Sequence, residues 1–479
     1  MRLQPVILPE LAYAYEITDN FSSFRRLSSG PSEEYPEIGT IQLDQETLAD
    51  LAFRPLPSIL GDWLRIAHSA YLADRFSPRR KPGNRINPYQ RSRSIHLHIP
   101  VTHPGVWARE NVTNQLQKIL AYLTEDTWQF TFRPVGGYRS NAETQGFFAP
   151  LDSLRNCNGA VALFSGGLDS LVGAIRTLDK MQSGHLILVS GATNRRMLKC
   201  QRLQVQQLRK RNRGSTQIAH VPLLHGIQRT DSRPREDNSQ RSRGFLHLSL
   251  GLIAALIKDD STLYVFENGI GAINLPYDAS QVGTANTRAV NPITLKLLEA
   301  FVSEVTGKVV HIENPFLFLT KAQMCNHPSL NESASLLAHS FSCDHFPVRK
   351  KGHPQCGTCT SCLLRREALE LSNLASLLPD SDYKDQLEET EFNMQAKKLV
   401  PLRAMARQVI QLDGCLKSSS PAKALCTKFP LLSQIAALKA NPAGYSEIEI
   451  QARICSLYRT YVNEWKRFSL FEMLLASAA

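Results

Sequence analysis

The residues best placed to do chemistry lie in the run Ala162-Leu163-Phe164-Ser165-Gly166-Gly167-Leu168-Asp169-Ser170. An apolar strand-like segment enters a turn of small residues and opens into a helix, and that arrangement suits an anion. Two adjacent glycines let the backbone approach a ligand with no Cβ in the way, and free amides at a helix start point toward negative charge. Ser165 and Ser170 add hydroxyl donors. Asp169 repels bare phosphate, so its place here implies a Mg²⁺ held jointly by carboxylate and phosphate. The GKS/T ending of a Walker loop is absent.

A second constellation is Cys343, Cys356, Cys359 and Cys362, with twelve, two and two residues between successive members. Four converging thiolates suit a closed tetrahedral Zn²⁺ site, structural because no position is left for water. An iron-sulfur cluster is the competing use of soft thiolates. His345 and His353 stand close enough in sequence to substitute as ligands. The other six cysteines (Cys157, Cys200, Cys325, Cys415, Cys426, Cys455) show no disulfide-like rhythm.

Ser-Gly-Gly-Leu-Asp-Ser after a strand resembles the SGGxDS signature of the PP-loop ATP pyrophosphatases. Joined to the late segment Cys356-Gly357-Thr358-Cys359-Thr360-Ser361-Cys362-Leu363-Leu364-Arg365, it is similar to the QueC (7-cyano-7-deazaguanine synthase) family. Asn314-Pro315, the stretch Leu319 to Met324 and Arg243-Gly244-Phe245 look like the same family, and the likeness spans roughly Ala160 to Asn373. The resemblance implies a HUP-like fold and ATP-dependent adenylation of a carboxylate, that of 7-carboxy-7-deazaguanine, releasing pyrophosphate before transfer to an amine. On that likeness Ser165, Gly166, Gly167, Leu168, Asp169 and Ser170 bind the nucleotide, with Asp169 on Mg²⁺. Lys321 is the candidate for a further phosphate contact. Glu267 is the candidate for the base edge, and Arg243 or Arg288 for the substrate carboxylate. ATP, Mg²⁺ and Zn²⁺ are the implied cofactors.

The elements that must position these residues follow from periodicity. Short apolar runs at Val161 to Phe164, Leu186 to Val189, Ile218 to Leu223, Leu263 to Phe266 and Val309 to Ile312 alternate with helical patterns. Those patterns are Leu171 to Lys180, Leu198 to Lys210, Phe245 to Ile257 and Ile293 to Val305. Such alternation predicts an α/β fold, a doubly wound parallel sheet with ligands at the strands' carboxyl ends. Residues 1–150 read as a small α+β domain of unknown role. Within it are a helical pattern from Gln45 to Phe76 broken at Pro55 and Pro57, a Pro/Gly/Arg-rich loop from Ser77, a strand at Ile95 to Ile99, a helix from Arg109 to Leu123 and a strand at Trp128 to Phe132. His96 and His98 share a strand face there without a third ligand. Residues 151–373 form the catalytic domain with its zinc-binding segment, and 374–479 a helical domain predicted as Tyr383 to Leu412, Lys428 to Lys439 and Ser446 to Ser477. Thr320 with Gln323 and Ser446 with Glu449 read as capping boxes.

The flanks exceed what the QueC family needs. In that respect the chain is similar to the enlarged QueC-like QatC proteins of the bacterial Qat antiviral system, which implies a defence role with partner proteins and a protein amine as acceptor. Of 479 residues, 55 are Lys or Arg and 43 Asp or Glu, a formal charge of +12 concentrated at Arg79 to Arg93, Arg195 to Arg213 and Arg229 to Arg243. That balance fits an anionic ligand, leaves a nucleic-acid partner open, and equally suits a solvated basic surface. It also keeps two alternatives in view: a PP-loop enzyme modifying or thiolating RNA or DNA through Cys157 or Cys200, and a non-enzymatic ATP-binding scaffold or sensor. The start lacks the features of a secretory signal, and the longest apolar run, Leu248 to Ile257, is about half a membrane span. A cytoplasmic protein without membrane contact is expected.

Overall fold

The computed structural model describes residues 11–27, 37–52, 55–79, 92–135, 159–230, 236–237, 241–277, 288–345, 355–372, 374, 383–385, 387, 398–440 and 444–476. Cys157, His353 and most of the loop after Ser77 lie outside them. Ten strands are described: β1 (Leu11–Ile17), β2 (Ser23–Leu27), β3 (Glu37–Leu43), β4 (Arg93–Val101), β5 (Thr127–Pro134), β6 (Gly159–Leu163), β7 (His185–Ala192), β8 (Gln217–Arg229), β9 (Thr262–Tyr264) and β10 (His311–Glu313). They form one sheet in the order β10-β9-β6-β7-β8-β3-β2-β1-β4-β5.

The first five of that order are mutually parallel. β6 and β7 are apolar on both faces because helices cover both. The chain runs outward from β6 through β7 to β8, then returns to place β9 on the other side of β6. Ligands of open α/β sheets bind at such a reversal, outside the carboxyl ends of the strands. The ends of β6 and β9 carry Ser165 to Ser170 and Glu267, so topology alone brings the sequence's two leading candidates together. The α/β class is as expected.

Strands from the region read as residues 1–150 and strands from the region after it share one sheet. β8 is thirteen residues long; Gln217 to Leu224 pair parallel with β7, and His225 to Arg229 continue antiparallel to β3, His225 opposite Leu43 and Arg229 opposite Gly39. The sheet therefore runs on into β1, β2 and β3, strands that periodicity missed. Trp63 and Trp107 pack on Phe301, at ring-centroid distances of 5.5 and 6.3 Å, within a core shared with the helices Arg243–Ile257 and Pro292–Thr306.

A buried charge node ties the same two regions. Arg93 donates to Asp74 Oδ1 at 2.5 Å and to Asp126 Oδ2 at 2.6 Å, and Asp74 Oδ2 accepts from both the backbone N–H and the hydroxyl of Ser242 at 2.9 Å. All four residues are buried. Removing one member of such a node leaves a charge unpaired in low dielectric, so Asp74→Ala is expected to destabilise by about 3–5 kcal/mol. A urea midpoint unchanged from the parent would show that the node carries no stability.

The C-terminal region is helical, as predicted, with different bounds: Val400–Leu416, Pro421–Lys428, Leu431–Ala440, Glu447–Trp465 and Ser469–Ala476. Tyr383 is not helical; it makes a parallel bridge with Gln355 beside the cysteines. The helix expected from Ser446 to Ser477 breaks after Trp465, whose ring packs edge-on against Phe468 and Phe471. Both predicted capping boxes are formed. No described helix is long and apolar enough to cross a membrane.

Candidate active site and metal centre

The turn after β6 is fastened by its carbonyl groups. Gly166 O accepts from Gln204 Nε2 at 3.0 Å and from Phe341 N at 3.2 Å, Ser165 O accepts from Gln201 Nε2 at 3.1 Å, and Phe164 O accepts from Ser190 Oγ at 2.7 Å. Among the described residues no acceptor takes the N–H of Gly166, Leu168 or Asp169. With carbonyls tied back and amides left free at the start of the Leu168–Leu178 helix, the loop is built as an anion cradle. Gly166 has φ of +81°, which only glycine adopts without strain, and a Cβ there would sit 3.0 Å from Gln204 Oε1. Ser165 Oγ and Ser170 Oγ lie 3.1 Å apart on the same turn.

Asp169 is the hub. Its Oδ2 accepts from the ammonium of Lys321, and its Oδ1 accepts from Asn268 Nδ2 at 3.1 Å. The same Nδ2 donates to Glu267 Oε1 at 2.7 Å. Lys321 opens a short helix, Lys321–Cys325, whose first turn is fixed by Thr320 and Gln323. Asn314 clamps the strand end, its Nδ2 donating to Glu267 O at 2.8 Å. Burial, followed by the Asp169 charge, pushes the Glu267 carboxyl up to about 8, with Lys321 opposing. Burial works against the Lys321 ammonium, but Asp169 and Glu267 outweigh it and hold that pKa above its ordinary value. Two carboxyls and one ammonium beside the anion cradle form an electrostatic set that a divalent cation would complete; Asp169, and Glu267 once deprotonated, offer the hard oxygen donors it needs.

The structure thus gathers Asp169, Lys321 and Glu267 and adds Asn268, which sequence reasoning passed over although it adjoins Glu267. Glu267 is turned into the Asp169 cluster, where Asn268 holds it. Arg288 is engaged elsewhere, donating to Glu125 Oε1 at 2.8 Å and to Tyr122 O at 3.0 Å. Arg243 is exposed at the start of the Arg243–Ile257 helix, near buried His225 and half-buried His247, whose Nε2 atoms are 3.1 Å apart.

A layer beneath the site comes from the C-terminal region. Thr320 Oγ1 donates to Glu464 Oε1 at 2.7 Å, and Glu464 faces the carboxyl of Glu367. Among the described residues no donor reaches the buried Glu367 Oε1 or Glu464 Oε2, which fits a pair sharing a proton. Burial first, and then the partner carboxylate, lifts Glu367 well above its ordinary value; burial lifts Glu464 from 4.5 to about 7, against the Thr320 hydrogen bond. Between those values the folded protein holds a proton that the unfolded chain releases, so stability falls as pH rises through that window, by at most about 1.4 kcal/mol per unit for one proton. Glu464→Gln is expected to flatten the dependence of the urea midpoint on pH between about 4.5 and 7. An unchanged slope would show that this pair does not titrate there.

The cysteines converge at the start of the Thr360–Leu371 helix. Cys356 Sγ and Cys362 Sγ are 3.9 Å apart, close to the roughly 3.8 Å edge of a tetrahedron with Zn–S bonds of about 2.3 Å. Backbone N–H groups of Cys356 and Cys359 donate to Cys343 Sγ and Cys356 Sγ, each at 3.3 Å, a pattern that favours thiolates. Ligand atoms of Cys343, His345, Cys356 and Cys359 lie within 4.8 Å of one another. His345 therefore competes with Cys362 for the fourth position, and the residues fit a zinc ion with either. His96 and His98, with ring centroids 4.2 Å apart, gain no third ligand among the described residues.

Residues 288–373 match the family model described as queuosine biosynthesis protein QueC. The matched segment contains Lys321 and all four cysteines and begins after the phosphate loop. No curated protein matches the chain. The chain is thus an α/β protein with a QueC-like segment, and that likeness points to ATP use.

Proposed function

We propose that the protein adenylates a carboxylate at the expense of ATP, releases pyrophosphate and passes the acyl group to an amine. The observation that carries this reading is the joining of a loop whose carbonyls are tethered and whose amides are free to Asp169 and Lys321, the latter inside the QueC-like segment. The free amides of Gly166 and Leu168 with the hydroxyls of Ser165 and Ser170 hold the phosphates, and Lys321 orients charge toward them. The substrate carboxylate attacks the α-phosphorus, the bond to the bridging oxygen breaks, and pyrophosphate leaves. The amine then attacks the acyl carbon and AMP departs. Mg²⁺, when bound through Asp169, neutralises phosphate charge. In this reading zinc at the cysteines is structural.

The finer reading is that the carboxylate is 7-carboxy-7-deazaguanine and the chain a QatC-like member of an antiviral system, whose acceptor is an amine on a partner protein. The resemblance of the motifs and the large flanking regions support it. Thiolation of RNA or DNA is less favoured: burial raises the thiol pKa of Cys200, away from the thiolate such chemistry uses. The test is to incubate protein, Mg²⁺, ATP and 7-carboxy-7-deazaguanine with ammonia or candidate partner proteins, following AMP and product mass. AMP that depends on the deazaguanine supports both readings. AMP only with another carboxylate removes the finer one, and ATP bound without AMP under any condition leaves the scaffold.

A further inference from the structure

The Arg195–Arg211 helix has two unlike faces. Gln201, Gln204, Val205 and Leu208 are buried, and the two glutamines grip the phosphate loop. The opposite face exposes Arg195, Lys199, Arg202, Arg209 and Lys210, and Arg213 follows just beyond. No Asp or Glu occurs from Arg195 to Gly214. Among the described residues, Arg211 finds a carboxylate in Asp179 at 2.9 Å, while Arg195, Lys199, Arg202, Lys210 and Arg213 make no ion pair. Some exposed lysines elsewhere are matched, Lys296 with Glu299, Lys308 with Asp259 and Lys417 with Asp413, and unmatched ones such as Lys118, Lys180 and Lys423 form no such row.

Arg195, Lys199 and Arg202 recur at helical spacing, with Lys210 and Arg213 further along, so their charges line a rod about 24 Å long, while Arg209 turns back and donates its Nε–H to Ile218 O at 2.9 Å. Like charges so arranged repel one another, and a polyanion relieves that repulsion. A protein interface needs an apolar centre, and Leu203, 37 % exposed, is the one large apolar side chain exposed on this helix. A nucleic-acid duplex needs none and presents about one negative charge per 1.7 Å of its axis. We infer that this helix face docks the phosphate backbone of a nucleic-acid duplex without reading its bases. Because the inner face of the helix holds the loop, the docked duplex lies one helix diameter from the phosphate site. Such docking is independent of the reaction proposed above.

The test is fluorescence anisotropy of the full chain with labelled duplexes of about 20 base pairs, DNA and RNA in separate arms, across a salt series. Binding to either is expected, with a slope of log affinity on log salt near −4, about −0.9 for each of four or five neutralised phosphates. Arg195→Gln/Lys199→Gln/Arg202→Gln is expected to weaken binding about tenfold or more and to reduce the slope by about 2–3. Lys296→Gln/Lys308→Gln/Lys417→Gln, which removes the same net charge elsewhere, is expected to bind as the parent does. Thermal unfolding checks that both variants fold, and the single Arg202→Gln variant serves if the triple does not. Equal losses in the two triple variants, parental binding by the helix variant, or no binding of either duplex at about 0.1 M salt overturns the inference.

Discussion

Asp169→Asn is expected to lower AMP release by about 10²–10³-fold. The change keeps shape and volume and removes a charge, so the loss reports electrostatics rather than packing. Geometry makes it severe: Oδ1 accepts from Asn268 and Oδ2 from Lys321, and an amide must turn its NH₂ toward one of those donors. Lys321, only 6 % exposed, then keeps a charge with its nearest counter-ion gone. Its pKa falls, and the folded state weakens by about 3 kcal/mol or more, as when one half of a buried pair is removed. Rate and unfolding midpoint should therefore fall together. A variant that releases AMP at the parental rate would remove Asp169 from the chemistry and the loop assignment with it.

The second large effect is loss of the metal. Purified protein is expected to carry about one zinc per chain and no iron, and stripping it should unfold the segment around the Thr360–Leu371 helix. Apparent binding energies of structural zinc run to about 10 kcal/mol or more, which is folding energy here because the thiols have no other reason to crowd. Cys359 caps that helix, while Arg365 and Glu367 on it reach Ser340 and the carboxyl beneath Thr320. Damage should therefore spread from the cysteines to the Lys321 helix. Metal analysis of variants identifies the fourth ligand. Cys362 is fully buried and His345 exposed, so zinc is expected to persist in His345→Ala and to be lost in Cys362→Ser. The reverse outcome would place His345 on the metal, and iron in place of zinc would mean a cluster.

What the sequence by itself determined is local in origin. The loop from Ser165 to Ser170 declares itself because few residue types can approach an anion, and Cys356, Cys359 and Cys362 declare themselves by spacing. The strands β6 and β7 were legible because burial on both faces writes continuous apolar runs, β8 to β10 because short apolar stretches recur between helical patterns, and both capping boxes rest on residues three apart. Tertiary structure decided the rest. Asn268 and Glu464 join the site through contacts 99 and 144 residues away in sequence, which no local pattern encodes. The same holds for β1 to β3, whose half-buried, irregular alternation hid them, and for β8, which changes partner midway and fuses the first region to the sheet. Arg288 looked free for a substrate until folding brought Glu125 to it. A side chain's type is fixed by sequence, whereas its protonation and partner depend on what folding buries beside it.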